Sequence, residues 1–185
     1  MKRVVMLIFC ISMLINGYGC FYMVRYDGTY RGRIIDEATG KPIEGVVVLG
    51  VWDKEYPTPA GAVTRFYDAK ETITDKDGEF EINGVGLRVF TNIVPMRVFI
   101  FKASYTYESG TWDSFKMGYL SKDRIKWEGD KPIIPLRKLT LEERKTNLGP
   151  PSPPHEAPKE KIKLMLNEIN KDRKEQGLGP IEVGR

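Results

Sequence analysis

Two carboxylates in the stretch Thr74–Ile82, TDKDGEFEI, are the side chains whose spacing is most suggestive of metal chemistry. Asp75 and Asp77, followed by Gly78, resemble the first positions of a calcium-binding loop, where alternate oxygen ligands bind the ion. Such a loop requires an acid at its twelfth position, whereas the twelfth residue counted from Asp75 is Gly86. Because Asp and Gly also make tight turns, we expect a turn between two strands here, and neither a metal nor a cofactor.

Nucleophilic and zinc-dependent catalysis lack their usual residues in this sequence. The 185 residues include one histidine, His155, in a proline-rich stretch, and two cysteines, Cys10 and Cys20, both within the first twenty residues. A lone histidine with no cysteine nearby cannot make a zinc peptidase site or an ordinary histidine-based triad. We therefore predict that the protein is not an enzyme.

The first twenty residues have the layout of a secretory signal. Lys2 and Arg3 form a positive start, and Val4–Ile15 is an apolar run of the length expected for a signal peptide. Gly17-Tyr18-Gly19 then precedes Cys20, an arrangement that resembles the bacterial lipobox, in which the cysteine is acylated. We predict a signal peptide at 1–19, lipidation at Cys20 and attachment to a membrane of the cell envelope.

Two other outcomes remain open for this segment. An uncleaved transmembrane anchor could run from Val4 to about Val24, and a free secreted form is a third possibility. In the lipidated form, residues 20–28 would be a short membrane-proximal tether, because no long polar linker follows Cys20.

Residues 29–139 read as short β-strands separated by turns. Alternating or continuous apolar runs, rich in β-branched and aromatic residues, are bounded by clusters of Gly, Pro, Asp and Thr. This spacing predicts an all-β, antiparallel sandwich of seven strands, followed by a helical tail. The predicted strands are 30–35, 46–52, 70–74, 79–82, 87–93, 97–103 and 131–139, with a loop insertion over 53–63.

Two motifs in this region resemble the signatures of carboxypeptidase regulatory-like domains. These motifs are GRIIDEATGKPIEGV at Gly32–Val46 and ETITDKDGEFEI at Glu71–Ile82. The resemblance implies a seven-stranded, transthyretin-like sandwich. Lys102-Ala-Ser-Tyr105 departs from the Lys-x-Gly-Tyr of the family, so we expect a different turn there. The histidines and the C-terminal Tyr-Arg-Gly-Ser of transthyretin-like hydrolases are missing, which agrees with a non-catalytic role.

The aromatic residues between 105 and 127 could form a ligand site. Trp112, Tyr119 and Trp127 are candidate stacking platforms for a sugar, which makes a carbohydrate-binding module the alternative function. The competing interpretation is a long loop that folds these rings over the open end of the core.

Residues 140–185 form a separate tail. Thr140 and Glu143 predict a capping box at the start of a short helix, and residues 149–158 are a stiff proline-rich spacer. From 158 to 176 we predict an amphipathic helix with Glu168 and Asp172 opposite its apolar stripe. Docking of the stripe on the sandwich and docking on a partner are both open. The stripe consists of Ile162, Met165, Leu166 and Ile169.

The net charge of +4 is small and its charges are mixed in sign, which argues against nucleic acid as a partner. The sequence therefore predicts a non-catalytic, membrane-anchored lipoprotein of the cell envelope. We expect it to act as a binding or scaffolding module for an envelope protein or a glycan.

Overall fold

The computed structural model describes residues 24–89, 91–117, 124–146 and 156–181 of the chain. The predicted signal peptide, Cys20 and Tyr119 lie outside the described residues, as does most of the proline-rich spacer. Within the described ranges, none of the helices has the length and apolar character needed to cross a bilayer.

Most of the described chain is β-strand. The strands are β1 (Val24–Asp36), β2 (Val47–Thr58), β3 (Gly61–Ile73), β4 (Glu79–Val89), β5 (Arg97–Phe101), β6 (Glu108–Thr111), β7 (Lys126–Glu128) and β8 (Lys131–Leu136). The helices are α1 (Trp112–Met117), α2 (Leu141–Thr146), a 3₁₀ turn at Lys159–Lys161 and α3 (Lys163–Glu175).

The strands make two four-stranded sheets, in the orders β4-β1-β8-β7 and β3-β2-β5-β6. The prediction of an all-β sandwich with a C-terminal helix is confirmed. The described residues form eight strands where the sequence predicts seven: β6 and β7 were not anticipated, and the strand expected at 87–93 is the end of β4. The antiparallel expectation also fails at one place, because β1 and β8 pair in parallel from Arg33 to Asp36.

The predicted loop insertion at 53–63 is wrong, because β2 and β3 continue through it as a paired hairpin arm. Their register runs on past Trp52 to Tyr56↔Val63 and Thr58↔Gly61. Pro57 is tolerated because it pairs near the tip of this hairpin, and Pro59 lies in the turn itself.

The core between the sheets contains the residues that the two motifs predicted. Phe80 and Ile82 of β4 are buried with Ile43, Val46 and Val48 from the second sheet's side, as expected. Gly32 of β1 lies under the Phe80 ring, where an added Cβ would come within 2.7 Å of the ring carbons. The remaining members of this core are Ile34, Trp52, Ile93, Met96, Val98, Ile100, Trp112, Phe115, Ile134 and Leu136.

Thr74 joins the two sequence motifs. Its buried hydroxyl accepts the Val46 N–H at 2.9 Å and donates to the Ile43 carbonyl at 2.6 Å. Gly45 beside them has a φ of +72°, a left-handed conformation that favours glycine. Thr74 and Gly45 thus each satisfy a local backbone requirement where the two motifs meet.

The turn prediction for Asp75 and Gly78 is confirmed. One Asp75 carboxylate oxygen, Oδ1, accepts the N–H groups of Asp77 and Glu79, both at 2.9 Å. The Gly78 N–H donates to the Asp75 carbonyl at 3.0 Å. The carboxylate is therefore used to close a turn between β3 and β4.

The capping box at α2 is also confirmed. The Glu143 carboxylate accepts the Thr140 N–H at 2.9 Å, and the Thr140 hydroxyl accepts the Glu143 N–H at 3.2 Å. The Arg137 guanidinium, followed by the Thr140 N–H and hydroxyl that donate to the carboxylate, lowers the pKa of Glu143 to about 2. Glu143 therefore stays ionised at neutral pH and holds the start of the helix.

Candidate functional site

Within the described ranges, the edge of β1 that faces away from β4 is unpaired over half of its length. β8 pairs with β1 only from Arg33 to Asp36, while β4 pairs with β1 along nearly its whole length. Among the described residues, no strand pairs with the segment Arg25–Arg31 on the β8 side. An unpaired edge presents backbone donors and acceptors to whatever lies beside it.

An open pocket of about 250 Å³ lies along this free edge. Its walls come from β1, from the start of α1 and from the turn between β7 and β8. Arg25 and Arg31 line it, the Arg31 guanidinium being paired with Glu81 of β4 at 2.8 Å, and Asp113 and Asp130 contribute negative charge. Such a lining suits an extended polar ligand that carries both charges and backbone-like hydrogen-bonding groups.

Asp27 is the central side chain beneath the pocket. It is 7% exposed, and Oδ2 accepts the indole N–H of Trp52 and the Val85 N–H, both at 2.9 Å. The Tyr30 hydroxyl donates to the other oxygen, Oδ1. The guanidinium of Arg88, itself 6% exposed, completes the cluster with Nη2 at 2.8 Å from Oδ2.

This cluster fixes the floor of the pocket rather than supplying a reactive group. Burial, and then the hydrogen bond and charge of Asp27, raise the pKa of Tyr30 well above its usual value. Tyr30 therefore remains a hydroxyl donor at neutral pH. Arg88 Nε is buried without a hydrogen-bond partner, so the Asp27 carboxylate is its main electrostatic compensation.

Gly84 lets β1 and β4 approach each other at this level. An added Cβ would collide with the carbonyl oxygens of Asp27 and Gly28. Lys70 from β3 donates to the carbonyls of Asn83 and Gly84 at 2.9 and 2.7 Å, and so ties this irregular part of β4 to the other sheet. The position of Asp27 is thus set from both sheets.

Trp112 and Trp127, two of the predicted sugar-stacking residues, do not form an exposed platform. Trp112 is 4% exposed and meets the Tyr30 ring edge-on at a centroid distance of 5.2 Å, with Phe80 and Phe115 also in contact. Trp127 is partly buried against the same core, and Tyr119 lies outside the described residues. The prediction of a sugar-stacking role is therefore wrong for Trp112, because its ring packs against other aromatic rings within the core.

The stripe on the tail helix packs on the chain's own sandwich. Ile162, Met165 and Ile169 are at most 1% exposed, and Leu166 is partly buried. They cover the outer face of the second sheet. A partner could use this stripe only after α3 had left the sheet. The sandwich residues under the helix are Val47, Leu49, Val51, Ala69 and Phe101.

The acidic residues of α3 also face the sandwich, which corrects their predicted place on the opposite side. Glu168 accepts the Ala103 N–H at 2.9 Å, and Asp172 accepts the Ser104 N–H at 3.0 Å. Arg144 of α2 lies 2.6 Å from the same Asp172 carboxylate. Glu168 and Asp172 are four residues apart and therefore lie on one face of the helix. This spacing was the signal in the sequence that the two carboxylates could contact the same surface.

The turn at Lys102–Tyr105, which was expected from the sequence to be unusual, contains Ser104 in a left-handed conformation. Ser104 adopts a φ of +68°, a region that favours glycine. The Asp172 bond to its N–H, and a 3.0 Å bond from its hydroxyl to Glu175, hold the strained residue in place. The backbone conformation that glycine would adopt freely is therefore kept by contacts from the tail.

Comparisons with known proteins give little further guidance. No protein-family model matches the chain, and no curated protein matches it. A solved structure that does match is the 3-chlorocatechol 1,2-dioxygenase from Rhodococcus opacus 1CP, with a TM-score of 0.32 and 14% sequence identity. The aligned region spans 62% of this chain and 62% of the dioxygenase chain.

This comparison corrects one prediction. The sequence analysis predicted that the protein is not an enzyme, whereas the solved chain that it matches is one. The prediction is therefore withdrawn. At this level of similarity the match does not assign the dioxygenase activity to the chain.

Proposed function

We propose that the protein is a cell-envelope lipoprotein whose sandwich binds an extended segment of a partner protein along the free edge of β1. The two sequence motifs support a carboxypeptidase regulatory-like, transthyretin-type sandwich as the scaffold of this binding module. The signal-type leader and Cys20 support its attachment to a membrane.

The observation that carries the proposal is the stretch of β1 that no described strand pairs with on its β8 side, beside an open pocket. A peptide that enters this pocket can add to the sheet as a strand, with backbone hydrogen bonds to residues 25–31. This mode of recognition gives affinity through the main chain and specificity through the neighbouring side chains.

The lining of the pocket suggests which peptides fit. Asp113 and Asp130 favour a basic side chain on the ligand, and Arg25 favours an acidic one. The Tyr30 and Trp112 rings beneath are held by the core and by Asp27, so the floor is pre-organised. We therefore expect an extended segment of mixed charge as the ligand.

A photocrosslinking experiment in intact cells tests this proposal. Asp130, which is exposed at the pocket rim, is replaced by p-benzoylphenylalanine, and Glu142, exposed on α2, receives the same residue as the matched control. We expect a discrete envelope-protein adduct from position 130 that is absent from position 142. Equal adducts from both positions, or none from position 130, would contradict strand addition at β1.

A further inference from the structure

The exposed apolar side chains of the sandwich are concentrated at one end. Within the described residues, eleven large hydrophobic side chains are exposed, and seven of them lie on the first part of β1, the last part of β4 and the β2–β3 arm. These seven are Val24, Tyr26, Tyr56, Val63, Tyr67, Leu87 and Val89. Scattered apolar residues on a surface are ordinary, but a concentration of this kind marks an interaction site.

The two groups lie at the same end because of how the chain crosses between the sheets. β4 ends beside the start of β1, where Val24 pairs with Val89. The segment after β4 then meets the base of the arm, where the Glu55 N–H donates to the Asn92 carbonyl at 2.8 Å. We call this region the leader end, since it holds Val24 and therefore adjoins residues 1–23.

On the first sheet the apolar residues form a coherent patch. Val24 is directly opposite Val89, and Tyr26 is directly opposite Leu87. Because directly opposed residues of an antiparallel pair share a face, all four side chains project on the same side. Tyr26 is 73% exposed and Leu87 is 67% exposed, so the described part of the chain leaves most of this patch uncovered.

The accessible charge of the β2–β3 arm is basic. Lys54 and Arg65 are directly opposite each other, and both lie over the Tyr56 ring, at 5.0 and 5.7 Å from its centroid. Like charges placed opposite each other destabilise a hairpin unless an anion compensates them. The arm therefore joins exposed aromatic and basic groups, which is the composition of surfaces that contact anionic membranes.

The acidic residues at the base of this end offset that charge only in part. Asp27 is buried and paired with Arg88, and Asp53 is buried with its Oδ2 2.8 Å from Arg97 Nη2. Glu55 accepts a hydrogen bond from the Asn92 side chain at 2.7 Å. Lys54 and Arg65 therefore outnumber Glu55, which is the one of these three carboxylates that is not paired with an arginine among the described residues.

We propose that the leader end is a membrane-contacting surface that binds anionic lipid headgroups and inserts its exposed apolar side chains at the interface. The inference rests on the proposed attachment at Cys20, which lies four residues before Val24. Four residues span at most about 14 Å when fully extended. A chain tethered so closely holds the leader end against the bilayer, where apolar burial and attraction between opposite charges act together.

The experiment reads the environment of the leader end in the full chain. A genetically encoded environment-sensitive fluorescent residue replaces Leu87, and in a matched control it replaces Ile73, which is 54% exposed at the other end of β3. Both proteins are reconstituted into phosphatidylcholine vesicles with or without phosphatidylglycerol, using brominated lipids as quenchers. We expect a blue shift and quenching at position 87, strongest with phosphatidylglycerol, and neither effect at position 73.

Charge reversal provides a second measurement. The K54E/R65E variant is expected to lose the difference between the two lipid compositions at position 87. Equal emission at positions 87 and 73 in vesicles would overturn the proposal. A blue shift that depends on protein concentration and not on lipid would also overturn it, because a second copy of the chain would then cover the patch.

Intact-mass analysis of the mature protein separates this inference from the proposed anchor. An acyl mass on Cys20 with a solvent-exposed position 87 would refute the membrane contact and keep the anchor. Quenching at position 87 without an acyl mass would refute the anchor and keep the contact.

Discussion

At the scale of single residues, the pair Asp27 and Arg88 is the most demanding feature of the structure. Both side chains are almost fully buried, and Asp27 accepts three further hydrogen bonds. Removing one member of a buried ion pair leaves an uncompensated charge, which costs more than the pair contributes. The floor of the candidate site therefore depends on one carboxylate.

For Asp27→Asn we expect a loss of about 3–5 kcal/mol in the free energy of unfolding, because Arg88 would lose its compensating charge. Urea denaturation measures this loss. Asp130→Asn, at an exposed position, is the control and should change stability by less than about 0.5 kcal/mol. A loss under about 1 kcal/mol for Asp27→Asn would show that the stability of the fold does not depend on the buried pair.

Predictions for single residues were confirmed where the contacts that hold the residue come from nearby in the sequence. The Thr140–Glu143 capping box and the Asp75 turn each depend on contacts within five residues, and both were found from the sequence. Asp27 was assigned to a tether, because its partners Trp52, Val85 and Arg88 are distant in sequence. A lone Asp on a strand gives no sign that it will be buried, since most aspartates are exposed.

At the scale of elements, α3 starts without a cap of its own. Ile162, at the N-cap position, offers no side-chain acceptor. Glu71 of β3 accepts the N–H groups of Leu164 and Met165 at 2.9 and 2.7 Å, and so caps the helix from the sheet. Docking of the tail and formation of its first turn are therefore coupled.

Glu71→Ala should loosen the start of α3 at a cost of about 0.5–2 kcal/mol, the usual range for a lost cap. Hydrogen exchange of the Leu164 and Met165 amides should become faster, while amides of β8 remain protected. Glu71→Gln, which keeps one acceptor oxygen, is the matched control and should have a smaller effect. Unchanged exchange in Glu71→Ala would contradict capping from the sheet.

The pH dependence of this cap has a defined sign. Burial raises the pKa of Glu71, although its two backbone bonds act in the opposite direction. A carboxyl whose pKa is raised on folding stabilises the folded state most at low pH, and this contribution is lost as pH rises through the raised value. The difference between the wild type and Glu71→Ala should therefore be larger in mild acid than at neutral pH.

Element boundaries were predicted poorly where strong turn residues lie inside a strand. Pro57, Pro59 and Gly61 predicted a loop, but cross-strand pairing over Asp53–Phe66 prevailed. β6 and β7 were missed because each contains only three or four residues and owes its conformation to a neighbouring strand. Tertiary pairing of this kind is invisible to local periodicity.

At the scale of the whole molecule, the tail completes the sandwich. α3 covers an outer face of β2, β3 and β5 that would otherwise expose a continuous apolar surface. The sequence predicted both the helix and its stripe, but it left open what the stripe contacts, because amphipathic periodicity gives the apolar face without naming its partner.

Ile169→Asp should displace the tail, because a carboxylate would be placed without a partner at a fully buried position. We expect binding of a hydrophobic dye, and association visible by size-exclusion chromatography, as the outer face of the second sheet becomes exposed. Leu164→Asp is the control on the same helix, because Leu164 is 40% exposed. A monomeric Ile169→Asp protein with no dye binding would show that the tail is dispensable.

The parallel pairing of β1 with β8 has a consequence for how the protein is made. Arg33 pairs with Ile133, so the first strand acquires this neighbour only after about a hundred further residues have been synthesised. Contacts so distant along the chain slow folding and prolong the time that a half-built sheet stays open to aggregation. Chaperones that hold unfolded chains should therefore matter most in the interval before β8 becomes available to β1.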